Sequence, residues 1–280
     1  MTDFFTQLTE ILEKENSRRP GMSIAAETLT ALNSDPEKEL PPLQAVSEKT
    51  VPAEEPVPAE RIPVERIPAA AERSPLPPRE EAPVKKLVPG TLEHLCETVR
   101  NCRNCPLCET RLNAVPGEGD PHARLMFIGE GPGADEDRQG RPFVGAAGQL
   151  LDKMIAAMQF RREEVYIANI VKCRPPRNRA PMPEEAQACI GYLEHQIRMI
   201  KPEVIVLLGA TAAHFLLERE EGIMRLRGRW LDYQGIPVMP TFHPAFLLRQ
   251  ESAKRDAWED LKQVMRRLGI EPPAPRRAAR

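Results

Sequence analysis

The sequence lacks any run of about 18 consecutive apolar residues, the length that a membrane-spanning helix needs. Its first residues have neither the basic start nor the small-residue cleavage site of a signal peptide. Both absences argue against a membrane or secreted protein. We therefore expect a soluble, cytoplasmic, monomeric protein that does not bind membranes.

Two common cofactor signatures are also missing. The glycine-rich segment 129–133 looks like a phosphate loop, but it lacks the Lys-Ser/Thr of a P-loop and the spacing of the dinucleotide fingerprint. The cysteine run 102–108 lacks the continuation found in bacterial ferredoxins. The sequence therefore indicates neither a nucleotide-binding protein nor an electron-transfer domain of the ferredoxin type.

Proline is abundant instead, with 30 in 280 residues, and it is concentrated in residues 36–89. Proline, Glu and Ala together cannot bury enough apolar surface to offset chain entropy, so this segment is predicted to be a disordered linker. Residues 1–35 carry an apolar stripe at helical spacing, formed by Phe4, Phe5, Leu8, Ile11 and Leu12. This stripe fits either a short fraying helix or a docking helix for a protein partner.

The rest of the chain differs in charge and pattern. Residues 1–88 hold 11 basic and 16 acidic residues, whereas residues 89–280 hold 28 and 25. A mildly basic body is compatible with nucleic acid without requiring it. We expect one folded domain over residues 90–270 and a flexible tail over residues 271–280.

Strands and helices alternate from residue 91. Apolar runs predict strands at 125–128, 165–171, 204–208 and 238–241, and helical periodicity predicts helices at 149–158, 184–200, 211–217 and 252–268. This order predicts a three-layer α/β/α fold with a central, mostly parallel four-stranded sheet. Ligands of such sheets bind beyond the carboxyl ends of the strands.

Polar motifs follow three of the predicted strands, where they would meet at one edge of the sheet. They are the glycine-rich segment with Glu130, the amide Asn169, and His243 between Phe242 and Pro244. Alone, each has an ordinary explanation: a tight turn, a structural amide, a packed histidine. Together they predict a site in which backbone amides approach a ligand and Asn169 pairs with a pyrimidine edge.

The cysteines predict a metal centre. Cys102, Cys105 and Cys108 form two overlapping C-x2-C pairs, and Cys173 and Cys189 follow with 15 residues between them. In a reducing compartment such clusters favour metal binding over disulfides. Four thiolates can hold zinc or a [4Fe–4S] cluster, and the spacing does not choose between them.

Four segments carry a specific resemblance: GEGPGADED, GRPFVGAAGQLLDKM, VYIANIVKCRPPRNRAP and TFHPAFLLR. Over residues 91–268 the chain resembles the family 4 uracil-DNA glycosylases, the iron–sulfur enzymes of thermophile type. The resemblance implies an enzyme that flips uracil out of single- or double-stranded DNA and hydrolyses its N-glycosidic bond. The product would be an abasic site, from which base-excision repair starts.

The resemblance also implies roles for matching residues. Glu130 and the amide of Gly131 would line the water and uracil O2 side, and Phe143 would stack on the base. Asn169 would read N3 and O4, and His243 would stabilise the departing anion. The family's ligand pattern for a [4Fe–4S] cluster falls on Cys102, Cys105, Cys173 and Cys189. Cys96 and Cys108 would be extra, although Cys108 offers a rival spacing to Cys102.

DNA contacts are predicted for the basic loops and for the segment after His243. Leu247 or Leu248 would wedge into the gap left by the flipped base, with Arg249 near the backbone. The predicted phosphate contacts, for which solvated loop charges are the alternative, are Arg141, Lys172, Arg174 and Arg179. Two other classes remain open on the residues alone, a redox protein and a non-catalytic nucleic-acid adaptor.

Overall fold

The computed structural model describes residues 90–273, which fold around one six-stranded sheet. The linker, the apolar stripe of residues 1–35 and most of the tail lie outside the described residues. The strands are β1 (Glu118–Gly119), β2 (Leu125–Gly129), β3 (Tyr166–Asn169), β4 (Val204–Leu208), β5 (Leu231–Tyr233) and β6 (Ile236–Thr241). They lie in the order β1-β3-β2-β4-β6-β5.

The predicted α/β class is confirmed, and the predicted number of strands is wrong. The four predicted strands form the parallel centre, β3-β2-β4-β6, and a short antiparallel strand is added at each edge. The added strands β1 and β5 have only two and three residues. Neither is long enough to show an alternating hydrophobic pattern in the sequence.

Helices cover both faces of the sheet. They are α1 (Leu92–Arg100), α2 (Leu107–Thr110), α3 (Ala134–Gln139), α4 (Ala146–Ala157), α5 (Pro183–Ile200), α6 (Ala210–Leu217), α7 (Ile223–Leu226), α8 (Pro244–Arg249) and α9 (Lys254–Arg267), with 3-10 turns at Arg162–Glu164, Pro176–Asn178 and Glu251–Ala253. Among residues 90–273, none of these helices has the length and apolar character needed to cross a membrane.

Two hydrophobic cores result from the alternation of side chains along each strand. In β2, Met126 and Ile128 enter the core beneath α1, α5 and α6, whereas Leu125 and Phe127 enter the core beneath α4 and α9. The sheet is therefore the middle of three layers. Because the four central strands are parallel, their carboxyl ends lie along one edge.

Candidate active site

A cleft of about 560 Å³ opens at that edge of the sheet. The segment after β2, the end of β3 and the segment after β6 form three sides, and the residues that precede and begin α4 form the fourth. The structure thereby brings together all five side chains or amides expected to handle the base, namely Glu130, Gly131, Phe143, Asn169 and His243.

Asn169 is the last residue of β3, and only 1% of it is exposed. Its Oδ1 atom is buried and has no hydrogen-bond partner among the described residues. Gly129 lies opposite in the neighbouring strand, where a Cβ atom would come within 2.6 Å of this oxygen. A buried acceptor without a donor costs about 1–3 kcal/mol. The arrangement therefore favours a ligand that donates a hydrogen bond from within the cleft.

Phe143 forms an apolar wall of the cleft. Its backbone is left-handed, with φ of 50°, which is uncommon for a bulky residue. Arg162 donates to the Phe143 carbonyl at 3.1 Å and also to the Pro142 carbonyl, so one guanidinium holds this turn. The first turn of α4 packs so closely that a Cβ atom at Gly148 would collide with the Phe143 carbonyl.

His243 faces Phe143 across the cleft, with 5.6 Å between the ring centroids. It caps α8, and its Nδ1 accepts a hydrogen bond from the Ala245 amide at 3.1 Å. Burial, and after it the charge of Arg249, lowers the pKa of the imidazole to about 4. The ring is therefore neutral at pH 7. Because Nδ1 accepts, the proton lies on Nε2, which can donate.

Glu130 and Gly131 continue directly from β2 into the cleft. The Glu130 carbonyl accepts from the Val171 amide at 3.2 Å, which extends the pairing of β2 and β3 beyond the sheet. A Cβ atom at Gly131 would lie 2.7 Å from the Val171 side chain, so only glycine fits here without displacing it. The Glu130 side chain lines the cleft beside this turn.

Two residues that shape the cleft were missed in the sequence. The Glu136 carboxylate accepts from the amides of Gly133, Val144 and Gly145 at 2.9–3.0 Å, which joins the two loops on either side of Phe143. A glycine N-cap followed three residues later by Glu is a capping pattern, so a local signal existed. Arg162 gave no comparable signal, because its carbonyl partners lie 19 and 20 residues earlier in the chain.

The four basic residues predicted to contact phosphate differ in their surroundings. Arg141 forms a bidentate pair with Glu118, Arg179 forms one with Glu185, and Arg174 donates to Asn178 at 2.7 Å. Of these three, only Arg179 lines the cleft. The prediction for Lys172 is wrong: it is 1% exposed, and its ammonium lies inside the domain. Burial lowers the pKa of this ammonium to about 8.

The segment after His243 forms α8 at the mouth of the cleft. Leu247 is buried against α4 and α9, with 1% exposed, so this side chain cannot act as a wedge without leaving the core. Leu248 is 42% exposed, and the neighbouring Phe246 is also exposed and lines the cleft. Arg249 is exposed at the same rim. Of the two predicted wedge residues, only Leu248 is available.

The four predicted metal ligands pack on one core. Cys173 and Cys189 are buried, and Cys102 and Cys105 pack against the same cluster. Burial raises the pKa of Cys105, Cys173 and Cys189, and neighbouring cysteine charges add to each of these shifts. Arg111 bridges the two segments by donating to Cys173 Sγ at 2.9 Å and to the Cys102 carbonyl at 2.8 Å.

Cys96 and Cys108 have other surroundings. Burial raises the pKa of the Cys96 thiol, which interacts with Tyr166. Cys108 lies in α2, where its amide donates to the Cys105 carbonyl at 3.2 Å. Within residues 90–273, no group of three or more His, Cys, Asp or Glu side chains is arranged around a single metal-ion position.

Comparisons with known proteins identify the family of this chain. The family model of the uracil DNA glycosylase superfamily matches residues 116–262. The chain is 48% identical over 177 residues to a type-4 uracil-DNA glycosylase of Thermotoga maritima, which covers 62% of this chain and 92% of that protein. Type-4 enzymes of Sulfurisphaera tokodaii and Archaeoglobus fulgidus are 44% and 40% identical over 191 residues. Each match covers 65% of this chain, and the matches cover 86% of the Sulfurisphaera tokodaii protein and 96% of the Archaeoglobus fulgidus protein.

Proposed function

The chain belongs to the type-4 uracil-DNA glycosylase family, and from this premise we propose that the cleft at the edge of the sheet is where uracil is bound and released. The enzyme hydrolyses the N-glycosidic bond of uracil in DNA, which leaves an abasic site and starts base-excision repair. A base inside a duplex cannot reach such a cleft, so the nucleotide has to be extruded, at a cost of a few kcal/mol.

The unpartnered Oδ1 atom of Asn169 is the observation that carries the assignment of the site. Uracil presents a donor at N3 and an acceptor at O4, and the Asn169 carboxamide offers the complementary acceptor and donor. Cytosine reverses both partners. A site built on such hydrogen bonds can reject the wrong base by about 10⁴-fold or more.

Phe143 and His243 supply the other contacts to the base. The Phe143 ring offers a face for stacking, which is worth about 1–3 kcal/mol for a base and offsets part of the cost of extrusion. The His243 Nε2–H and the Gly131 amide donate toward uracil O2, where negative charge develops as the base leaves. One prearranged donor of this kind contributes roughly 2.7–4 kcal/mol to the transition state.

Glu130 completes the chemical site. As the bond to uracil breaks, the sugar acquires oxocarbenium character and is captured by water. Glu130, on the loop after β2, is the polar side chain proposed to hold this water. The donors that stabilise the leaving base lower the activation barrier more than the nucleophile does, because the transition state is largely dissociative. Of the three acidic residues that line the cleft, Asp135 pairs with Arg138 and Glu136 accepts from main-chain amides, so Glu130 is the carboxylate proposed to serve the water.

The rim of the cleft is proposed to hold the DNA. Leu248 and Phe246 are the exposed apolar side chains on α8, and Leu248 would fill the gap that the extruded base leaves, with Arg249 beside the backbone. Arg174 and Arg179 lie on the loop at the opposite side, and Arg141 is exposed near the turn of Phe143. Phosphate contacts by Arg141 and Arg179 would compete with their carboxylate partners, Glu118 and Glu185.

A [4Fe–4S] cluster held by Cys102, Cys105, Cys173 and Cys189 is the second part of the proposal. The proposal is supported by the chemistry of the donor set, because four thiols from two chain segments pack on one core and Arg111 donates a hydrogen bond to one of them. When bound, such a cluster supplies a structural cross-link between the segment after α1 and helix α5. Arg111 already joins the segment after α1 to the loop between β3 and α5, through the Cys102 carbonyl and Cys173 Sγ.

Substitutions at Asn169 test the assignment of the site. In single-turnover cleavage of a U:G oligonucleotide, Asn169→Ala is expected to lose roughly 10²- to 10³-fold in rate without gaining activity on cytosine. Asn169→Asp is expected to lose most uracil cleavage and to relax discrimination against cytosine, because a protonated carboxyl can donate to cytosine N3.

A matched control removes an amide outside the cleft. Gln159 donates from its side chain to the Glu271 carbonyl at 2.8 Å and does not line the cleft, so Gln159→Ala should keep the full rate. Near-normal kcat/KM for Asn169→Ala would show that Asn169 is only structural and that the recognition scheme is wrong.

A further inference from the structure

Lys172 is a buried lysine that the cleavage chemistry does not use. It follows β3 by three residues, and its Nζ atom donates to the Asn169 carbonyl at 3.0 Å and to Gln196 Oε1 at 2.7 Å. Both acceptors are neutral groups. Burying an ammonium group is costly unless its hydrogen bonds are satisfied, so these two contacts are strong constraints on the groups that accept them.

Gln196 extends this contact into the body of the domain. Its Nε2 atom donates to the Pro116 carbonyl at 2.9 Å and to the Tyr166 hydroxyl at 3.1 Å, and the residue lies in α5. Tyr166 begins the strand that Asn169 ends. The ammonium of Lys172 therefore ties the carboxyl end of β3 to α5 and to the segment before β1.

The main chain of Lys172 makes further contacts on the same side of the sheet. Its amide donates to Cys189 Sγ at 3.2 Å, and its carbonyl accepts from the Val115 amide at 2.7 Å. A side-chain substitution leaves both of these bonds possible. The side chain and the main chain of Lys172 can therefore be tested separately.

We propose that Lys172 is a positioning residue for base recognition: its ammonium fixes the main chain of Asn169, and thereby the direction in which the Asn169 carboxamide faces the cleft. The inference rests on the proposed role of Asn169 in reading uracil. Within the described residues no hydrogen bond holds Asn169 Oδ1, so the orientation of this amide depends on its backbone and its packing. A small displacement of a recognition group is enough to reduce rates on the order of 10²-fold.

Lys172→Met is the informative substitution, because methionine keeps most of the length of the side chain and removes its donors. In the full-length protein, single-turnover cleavage of a U:G oligonucleotide should fall roughly 10- to 100-fold. The matched control is Lys254→Met, which removes another buried lysine, one whose Nζ atom pairs with Glu251 at 2.8 Å in a different part of the domain. This control should cleave within about threefold of the unmodified rate, since it leaves Asn169 untouched.

The decisive comparison adds Lys172→Met to Asn169→Ala. If Lys172 acts through the Asn169 carboxamide, it has nothing left to position in the Asn169→Ala background, and the double variant cleaves as slowly as Asn169→Ala alone. A further loss by the same factor as in the single variant would overturn the inference while leaving the role of Asn169 intact. Near-normal cleavage by Asn169→Ala would instead overturn the recognition scheme, and the inference with it.

Two more measurements separate the alternatives. If Lys172 contacted phosphate, Lys172→Met would lower the slope of log Kd against log salt by about one for abasic DNA, whereas a positioning role leaves the slope unchanged. Iron content and thermal unfolding identify a variant that fails to fold or to keep its iron. In that case Gln196→Met, which removes the other acceptor of the ammonium, should reproduce the loss of cleavage with normal iron content. Normal cleavage by Gln196→Met would then overturn the inference.

Discussion

In its proposed role His243 donates to the departing base as a neutral imidazole, and its surroundings keep it neutral. Burial is the main cause of its low pKa, and the positive charge of Arg249 acts in the same direction. The Ala245 amide occupies Nδ1, which leaves the proton on Nε2. A neutral donor of this kind does not need to lose a proton during the reaction. In the proposed mechanism its hydrogen bond strengthens as negative charge develops on uracil O2.

The rate of cleavage should therefore be independent of the ordinary histidine titration. Because the pKa of His243 is lowered to about 4, the neutral fraction stays near one above pH 5 and falls only as the pH approaches 4. Single-turnover rates measured between pH 5 and 8 should show no inflection near 6.5. His243→Ala should lower the rate roughly 10²- to 10³-fold over the whole range. An inflection near pH 6.5 that disappears in His243→Ala would contradict the neutral donor.

Lys172 and the two leucines of α8 show what a sequence does not reveal about single residues. In the sequence, Lys172 directly follows the strand predicted at 165–171 and precedes an arginine-rich stretch, which is the pattern of an exposed basic loop. Its ammonium can be buried because the Asn169 carbonyl and Gln196, 24 residues later in α5, accept its hydrogen bonds. Leu247 and Leu248 are neighbours in a helix of six residues, too short for periodicity to show which of them faces the core.

At the scale of elements, the sequence predicted best where segments are long and apolar. Strand β4 was predicted at its observed bounds, Val204–Leu208, and the helix predicted at 184–200 is observed as α5, Pro183–Ile200. Such segments owe their conformation to their own hydrophobic pattern. The edge strands β1 and β5 owe theirs to pairing with β3 and β6, which the local sequence does not encode.

Helix α5 and the loop before it provide a test of the proposed cluster. Purified protein is expected to be brown, with a broad visible absorbance. Cys173→Ala or Cys189→Ala should bleach and destabilise it, because each removes one of the four proposed ligands. Visible absorbance, iron content and thermal unfolding measure these effects.

Cys108→Ala is the matched control for the cluster, since it removes the cysteine with the rival spacing. The structure favours Cys102 over Cys108 as a ligand, because Arg111 donates both to the Cys102 carbonyl and to the Cys173 thiol. Cys108→Ala should therefore stay brown, and Cys102→Ala should not. A colourless protein carrying one equivalent of zinc would contradict the iron–sulfur assignment for the whole ligand set.

At the scale of the whole molecule, one segment of 21 residues connects recognition to the proposed metal centre. It begins at Asn169, continues through Lys172 and Cys173 into the arginine-rich loop at the rim of the cleft, and ends at Cys189 in α5. The sequence predicted base recognition, phosphate contact and metal binding for residues of this segment, and these remain proposals. The contacts that hold the segment together, those of Lys172 and Gln196, became visible only in three dimensions.

The buried Oδ1 of Asn169, an acceptor with no donor among the described residues, also has a consequence for the stability of the fold. A ligand that donates to this atom binds the folded chain and not the unfolded one, so free uracil should act as a thermal stabiliser. At 100 times its Kd the folded state would gain about 2.7 kcal/mol, and the melting temperature should climb with the logarithm of uracil concentration. Calorimetry of Asn169→Ala should show little of this dependence; an equal shift would mean that uracil binds without engaging the amide. The buried acceptor proposed to select uracil would thus also let the reaction product stabilise the fold.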